Sequence, residues 1–515
     1  MDLDTGLKPP PEGPVVPEKV DSSVNRMAAG AGISLFGVGL GRGLDFVKQI
    51  LLARLLGPEA FGLYAIGWNI LRIIGVLVPF GLHNGVVHFG TPFWKKDDGA
   101  LRSILTRSVV ISFAIGWLLA AILFVLAPWI TTDLFKQPEF LPLFRIFTLM
   151  LPFAGALRVS ASATRMTQRM IFSVVSEEIV QGALNLVLFI AFYLVGWELF
   201  GAIVATILSF AIAFALSLYF LWRLFRPAFQ SPSREAIRTQ ALLAYSMPTA
   251  LAGMFGFIIS RVDRLFLGYF RSPAEVGVYQ AAAQLSIVMA LVLNAFNMIL
   301  MPMVAEQYHK QDMKQLEELY RINSKWGIYC IIPLVLVVFF AAGDVMTVLF
   351  GSEYAIGATA LLILTVGQFI NIVTGATGMI LIMTGQQKAW FRLSMVIVVA
   401  NLILNLTLIP RWGMNGAAVA TATTVGGLFA IALLIVYRIH NIWPYDRRYV
   451  KGILAAVVTA GLLLVIRLLH LPSTANLLLT TAVAAAGFFG ILLGLGLDPE
   501  DRAFMTYVVD RFRNK

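Results

Sequence analysis

The sequence predicts an all-α, polytopic membrane protein of about fourteen transmembrane helices, forming two parallel six-helix bundles plus two extra C-terminal helices. Three observations predict it. Of 515 residues, 59% are hydrophobic and 13% charged, with mean hydropathy +0.82; a soluble domain carries about 25% charge. Apolar runs long enough to cross a bilayer, about 20 residues each, recur along the chain without period-two alternation, and in lipid such runs satisfy their backbone only as helices. The chain also repeats itself. LLGPEAFGLY from Leu55 is answered by SPAEVGVY from Ser272, and GAIVAT (Gly201–Thr206) by GAAVAT (Gly416–Thr421). Gly62 with Gly277 and Gly201 with Gly416 share one offset of about 215 residues, and Trp197 with Trp412 and Asp97 with Asp312 fall into step. Two blocks at one offset indicate a duplicated half. In a membrane chain, that is the signature of a transporter whose halves rock against each other.

Taken in order, residues 1–27 are Pro-rich and mixed in charge, and read as a disordered cytosolic arm. They lack the pattern of a secretory signal. The first bundle covers 28–223, with spans at 28–54, 61–87, 105–130, 140–164, 170–195 and 199–223. A basic cytosolic linker, 224–240, follows. The second bundle, 241–440, holds spans at 241–269, 275–304, 323–350, 356–384, 389–409 and 415–440. An extra helix pair occupies 441–497, with spans at 449–469 and 475–497, before a cytosolic tail at 498–515. Lys and Arg collect in alternate loops, such as Lys95/Lys96/Arg102, Arg223/Arg226/Arg234, Lys310/Lys314/Arg321/Lys325 and Arg447/Arg448/Lys451. These loops are assigned to the cytoplasm, with both termini. The net charge of +11 is therefore an orientation signal rather than a nucleic-acid footprint. Six spans separate equivalent points of the repeat, an even number, so the halves are parallel repeats rather than inverted ones.

A charge at the bilayer centre costs about 2.5–3.5 kcal/mol, so intramembrane charges rarely face lipid. The first span holds Arg42, Asp45 and Lys48 on one broad face, the second adds Arg72, and the seventh holds Arg261, Asp263 and Arg264. Helical periodicity puts Arg261 and Arg264 on one face and turns Asp263 away from it. The repeat register sets Lys48 opposite Asp263. The set Arg42, Asp45, Lys48, Arg72, Arg261 and Arg264 reads as a positive, anion-binding cavity at the seam between halves; guanidinium forks suit phosphate oxygens. The alternative is structural ion pairing between helices, as at Asp45–Lys48. Asp45, Glu178 and Asp263 are the carboxylates available for coupling to an ion. Glu177 and Glu178 are adjacent, so they do not share a helix face as a catalytic acid pair would, and Glu177 or Glu178 has Arg158 or Arg165 as a partner. Gly37, Gly39, Gly41 and Gly43 contain GxxxG spacing for close packing. No Walker lysine follows them. The five histidines lack ligand spacing, and Cys330 is the only cysteine. No metal site, no cofactor and no catalytic residue is expected.

The repeated blocks also carry a family resemblance. LLARLLGPEAFGLYAI, RVDRLFLGYFRSPAEVGVYQAAAQLS with MPMVAEQYHK, and the stretch from GQQKAWFRLS to LIPRWGMNGAAVATATT resemble the bacterial polysaccharide-repeat flippases, which transport O-antigen and exopolysaccharide units. Their superfamily also contains multidrug exporters and lipid II flippases. The resemblance implies two six-helix bundles around a central cavity. It implies a non-enzymatic transporter in the bacterial inner membrane, moving an undecaprenyl-diphosphate-linked oligosaccharide to the outer leaflet by alternating access. Membrane lipids, a polysaccharide polymerase and glycosyltransferases are the partners it suggests, with sodium or protons as candidate coupling ions. Three other readings compete. A lipid II flippase shares the basic cavity. A cation-coupled multidrug exporter would prefer an acidic one. A membrane glycosyltransferase or polymerase would need a large catalytic loop, and the outer loops here are short.

Overall fold

A computed structural model describes residues 18–235, 237–247, 250, 261–496 and 498–502, with side chains from 37 onward apart from Ile299. The described residues are helical, without a strand. In chain order the main helices are α1 (Glu18–Gly75), α2 (Leu82–Gly90), α3 (Asp98–Pro128), α4 (Leu141–Phe147), α5 (Met150–Thr164), α6 (Ile171–Val174), α7 (Gln181–Leu194), α8 (Glu198–Leu224) and α9 (Arg226–Gln230). After them come α10 (Val262–Phe270), α11 (Pro273–His309), α12 (Met313–Phe350), α13 (Ala358–Val373), α14 (Thr377–Met383), α15 (Gln387–His440), α16 (Tyr449–Arg467) and α17 (Ser473–Gly494). The first helix begins at Glu18, ahead of the apolar run; residues 1–17 of the expected arm lie outside the described residues. The polar stretch after Pro17 contains no further proline, so the helix extends through it.

Eleven helices among the described residues are long and apolar enough to cross a membrane. Two of them are hairpins. A straight 58-residue α1 would run about 87 Å, far beyond a hydrocarbon core of about 30 Å. The chain breaks at Gly57, whose φ of 76° and ψ of 170° are non-helical, and Pro58 starts the second arm, where its missing N–H costs nothing. Lys48 Nζ consequently lies 5.2 Å from the Trp68 ring centre, although a straight helix would separate the two by about 30 Å. Likewise α15 breaks at Gly413 (φ 55°, ψ −134°), and Asn401 Nδ2 reaches Thr424 Oγ1 at 2.9 Å. Each hairpin therefore holds two of the spans read from the sequence. The second span is also interrupted between Gly75 and Leu82, around Pro79, and the tenth between Val373 and Thr377. The seventh, 241–269, falls partly outside the described residues.

Each half folds so that its two repeated blocks touch. In the first half Tyr64 and Thr206 hydroxyls lie 3.0 Å apart. At the equivalent positions of the second, Tyr279 and Thr421 lie 3.4 Å apart. Arg271 Nη2 also donates to the Pro410 carbonyl at 2.9 Å, and the Glu275 carboxylate accepts from the Met414 amide at 3.2 Å. The first blocks of the two halves then meet each other. A Cβ on Gly62 would overlap the Pro273 carbonyl, a Cβ on Gly277 would overlap the Pro58 carbonyl, and each would lie 3.1 Å from the other glycine's nitrogen. Small residues permit this backbone approach between helices. At the same base-poor end, Tyr354 donates to the Ala53 carbonyl at 2.8 Å and Arg54 to the Val348 carbonyl at 2.7 Å. Trp197 and Trp412, also equivalent, are 43% and 57% exposed there, as suits aromatic rings at a membrane interface.

One continuous apolar core, with Tyr64, Phe147, Phe189, Tyr279, Phe350 and Tyr354, crosses the seam at this end. Toward the base-rich end the core divides. Leu82, Leu105, Met166 and Phe225 form one cluster with the first half, and Val304, Leu316, Tyr320 and Val436 form another with the second. Among the described residues, the halves are thus packed together at the base-poor end and form separate clusters toward the base-rich end.

The extra pair, α16 and α17, packs on α12. Its end is clamped by charge. Lys325, which its sequence context assigns to an orienting loop, is 1% exposed and donates to Asp498, Glu500 and Asp501 at 3.2, 2.6 and 3.0 Å. Trp326 Nε1 donates to Asp501 at 2.8 Å, and Arg448 joins Glu318, Asp446 and Glu500. Burial pushes the Asp498 carboxyl up, and Lys451 and Lys325 more than reverse this, leaving it below its ordinary 3.8. Glu500 is likewise raised by burial but held below its ordinary 4.5 by Lys325 and Arg448. A carboxyl lowered by folding stabilises the fold in full above its ordinary value, and this is lost as pH falls through the lowered one. Lys325→Met should therefore destabilise the protein by about 2–4 kcal/mol at pH 7, with the deficit shrinking below about pH 4. Thermal unfolding of the two proteins across that range checks it; a deficit independent of pH would refute the clamp.

Candidate functional site

The charges expected on the first hairpin lie at a common depth. At 1.5 Å per residue, Lys48, Asp45 and Arg72 stand roughly 14–22 Å along their arms from the Gly57 turn, near mid-membrane. Gly37 and Gly41 decide which face of the first arm is covered. A Cβ at Gly37 would overlap Val174, and one at Gly41 would lie 2.9 Å from Glu178 Cβ, whereas Gly39 and Gly43 face open space. Arg42 is exposed between them. Of the GxxxG pairs, one packs and the other is uncovered.

Lys48, 3% exposed, pairs with Asp45 at 2.6 Å, while the Asp45 side chain keeps 48% of its surface open. Lys48 and Arg72 both lie against the Trp68 ring, at 5.2 and 5.1 Å from its centre. The π-face of an indole attracts cations electrostatically, so Trp68 helps two positive groups approach one another. Tyr64 and Phe147 stack on the Trp68 side at 6.2 and 6.4 Å and fix its plane.

Arg261 and Arg264 part company. Arg261 caps α10 with non-helical φ of −140°, so the periodicity that gave it a common face with Arg264 does not reach it. Its Nη1 crosses the seam to Asn69 Oδ1 at 2.8 Å. Arg264, 5% exposed, turns inward and bonds Asp263 Oδ1 at 2.9 Å and Gln280 at 2.7 Å. Asp263, 3% exposed, also accepts from Tyr279 at 2.7 Å and Thr421 at 3.2 Å. Helical periodicity turned Asp263 away from Arg264; a long side chain at the first turn reaches back to it. Glu177 lies 3.5 Å from Arg165, one of its expected partners. Glu177 and Glu178 sit in a π-helical turn, Val175–Val180, a widening often found at functional sites. No cluster of three or more metal-ligating side chains occurs among the described residues.

Six residues of this arrangement escaped the sequence reading: Trp68, Asn69, and the Tyr64–Thr206 and Tyr279–Thr421 pairs. The pairs had a signal, since they end the repeated blocks. Trp68 and Asn69 had none, being ordinary residues of an apolar span.

Comparison with known proteins places this arrangement. Residues 51–358 match the family model described as polysaccharide biosynthesis protein. The probable low-salt glycan biosynthesis flippase Agl15 of Haloferax volcanii is 24% identical over 74% of this chain and 77% of its own length. The succinoglycan biosynthesis transport protein ExoT of Rhizobium meliloti is 25% identical over 61% of this chain and 60% of its own. The fold is similar to the lipid II flippase MurJ in an inward closed conformation, with TM-score 0.66, 14% identity, and coverage of 89% of this chain and 99% of that one. It is also similar to a multidrug resistance transporter of the MATE family in an inward-facing conformation, with TM-score 0.62, 15% identity, and coverage of 79% and 98%. The resemblance carried by the repeated blocks and the match over 51–358 agree: this multi-pass membrane chain belongs to the polysaccharide biosynthesis protein family.

Proposed function

We propose that the protein is a flippase for a lipid-linked oligosaccharide, carrying an undecaprenyl-diphosphate headgroup from the inner to the outer leaflet by alternating access. One observation carries the reading. Lys48, Arg72 and Arg261 gather near the partly open carboxylate of Asp45, with Arg42 exposed three residues before it, at mid-membrane depth between the halves. Such a site takes an anion, and a diphosphate offers guanidinium groups paired oxygens at charge-assisted hydrogen-bond distance. The Arg264–Asp263 network stands behind it as support. Relatives named as glycan flippases and transporters support the glycan part of the cargo. The net positive site speaks against export of cationic drugs. The loop charges support an orientation with both termini cytoplasmic, and the reading puts the protein in the bacterial inner membrane. A lipid-linked cargo also makes membrane lipids, a polymerase and glycosyltransferases the natural partners. For coupling to sodium or protons, the reading keeps Asp45, Glu178 and Asp263, of which Asp263 is buried.

The test is export by single alanine variants of Arg42, Arg72 and Arg261. Each loss of a charge-assisted bond, about 1.5–3 kcal/mol, should lower export at least tenfold while membrane levels stay normal. Parental export in all three would refute the headgroup site.

A further inference from the structure

We infer that Asn69 is a positioning residue that holds Arg261 across the seam in the absence of cargo and gives it up to a diphosphate. The inference rests on the headgroup reading above and adds a mechanism by which cargo releases the seam.

Asn69 is fully buried in the second arm of α1. Its Nδ2 donates to the Ala65 carbonyl one turn back at 2.7 Å. That bond fixes the amide: with nitrogen toward Ala65, the carbonyl oxygen is the group presented to Arg261 Nη1, at 2.8 Å. Arg261 stands at the head of α10, which packs on α11 and α15 of the second half and also meets α1 of the first. The bond therefore ties the two halves at mid-membrane, beneath the Gly62–Gly277 contact. Asn69 is a neutral acceptor. A diphosphate oxygen is an anionic one, and charge-assisted hydrogen bonds are about twice as strong as neutral ones. An anion arriving beside Arg42 and Arg72 takes the Arg261 guanidinium and removes a bond that belongs to the outer-closed state alone. A ligand shifts a two-state equilibrium only through such differential contacts. The bland alternative is a bond that merely stabilises the fold; it would not depend on anion.

The experiment uses the full chain in liposomes, with Cys330→Ser and nitroxide labels on Glu59→Cys and Glu353→Cys. These exposed positions lie on opposite halves at the base-poor end. Pulsed electron resonance reads the distance distribution with and without inorganic pyrophosphate. The parent should gain a longer-distance population when pyrophosphate is added. Asn69→Ala should hold about ten times more of that population without pyrophosphate and gain little from adding it. Asn69→Asp, which replaces the neutral acceptor by an anion, should stay short and ignore pyrophosphate. It also keeps the test valid if the alanine variant folds poorly. Distributions for Asn69→Ala that match the parent with and without pyrophosphate overturn the inference. A parent unmoved by pyrophosphate beside an Asn69→Ala variant that opens overturns the headgroup reading instead and leaves a cargo-independent latch.

Discussion

Leucine in place of Gly62 or Gly277 is expected to abolish transport while leaving the chain folded in the membrane. A Cβ at either position meets a carbonyl of the opposite half, Pro273 or Pro58, with the other glycine's nitrogen 3.1 Å away. Those obstacles are backbone, so no rotamer change makes room. Overpacking costs about 1–3 kcal/mol, and here it falls only on the state in which the base-poor ends touch. That disfavours the closed state roughly five- to a hundredfold and strands the halves apart. Gly343→Leu is the control, since nothing lies within 4 Å of a Cβ there. Export assays should separate the three, and, in a Cys330→Ser background, aqueous thiol labelling of a cysteine replacing the buried Ala53 at the seam should rise in the two seam variants. Parental export by Gly62→Leu would mean that this contact need not close.

The second large effect is on stability. Asp263→Ala should destabilise the protein by about 3–5 kcal/mol, because it removes the carboxylate paired with the buried Arg264 and the acceptor used by Tyr279 and Thr421. The double variant Asp263→Leu, Arg264→Met should recover most of that loss, since removing both members of a buried pair is often near neutral. Arg42→Ala, at an exposed position, should leave the unfolding temperature unchanged while reducing export. Thermal unfolding in detergent distinguishes them. An Asp263→Ala protein that melts with the parent would show that the network carries no stability. The contrast separates cations that hold the fold from cations that face cargo, which a count of intramembrane charges does not do.

Much of the molecule was legible in its residues. Composition and run length determined a helical membrane protein, because burial in lipid demands both. The register between Gly62 and Gly277 and between Gly201 and Gly416 determined the duplication. The structure gives that register a reason: the blocks carrying it touch within each half, at Tyr64–Thr206 and Tyr279–Thr421, and the first blocks touch between halves. The depth of Asp45, Lys48 and Arg72 also followed from sequence, since rise along a helix is a local property.

Partnership did not follow. Arg261 and Arg264 lie three residues apart and looked alike. One caps a helix and reaches across the seam to Asn69, while the other folds back on Asp263. Lys325 read as a loop cation and is buried among carboxylates more than 170 residues away. Periodicity assigns a face and a depth, and those the sequence determined by itself. Which distant segment arrives at that face, and how far a flexible side chain bends toward it, depends on the packing of the whole chain, so only the tertiary structure decided which groups each charge meets.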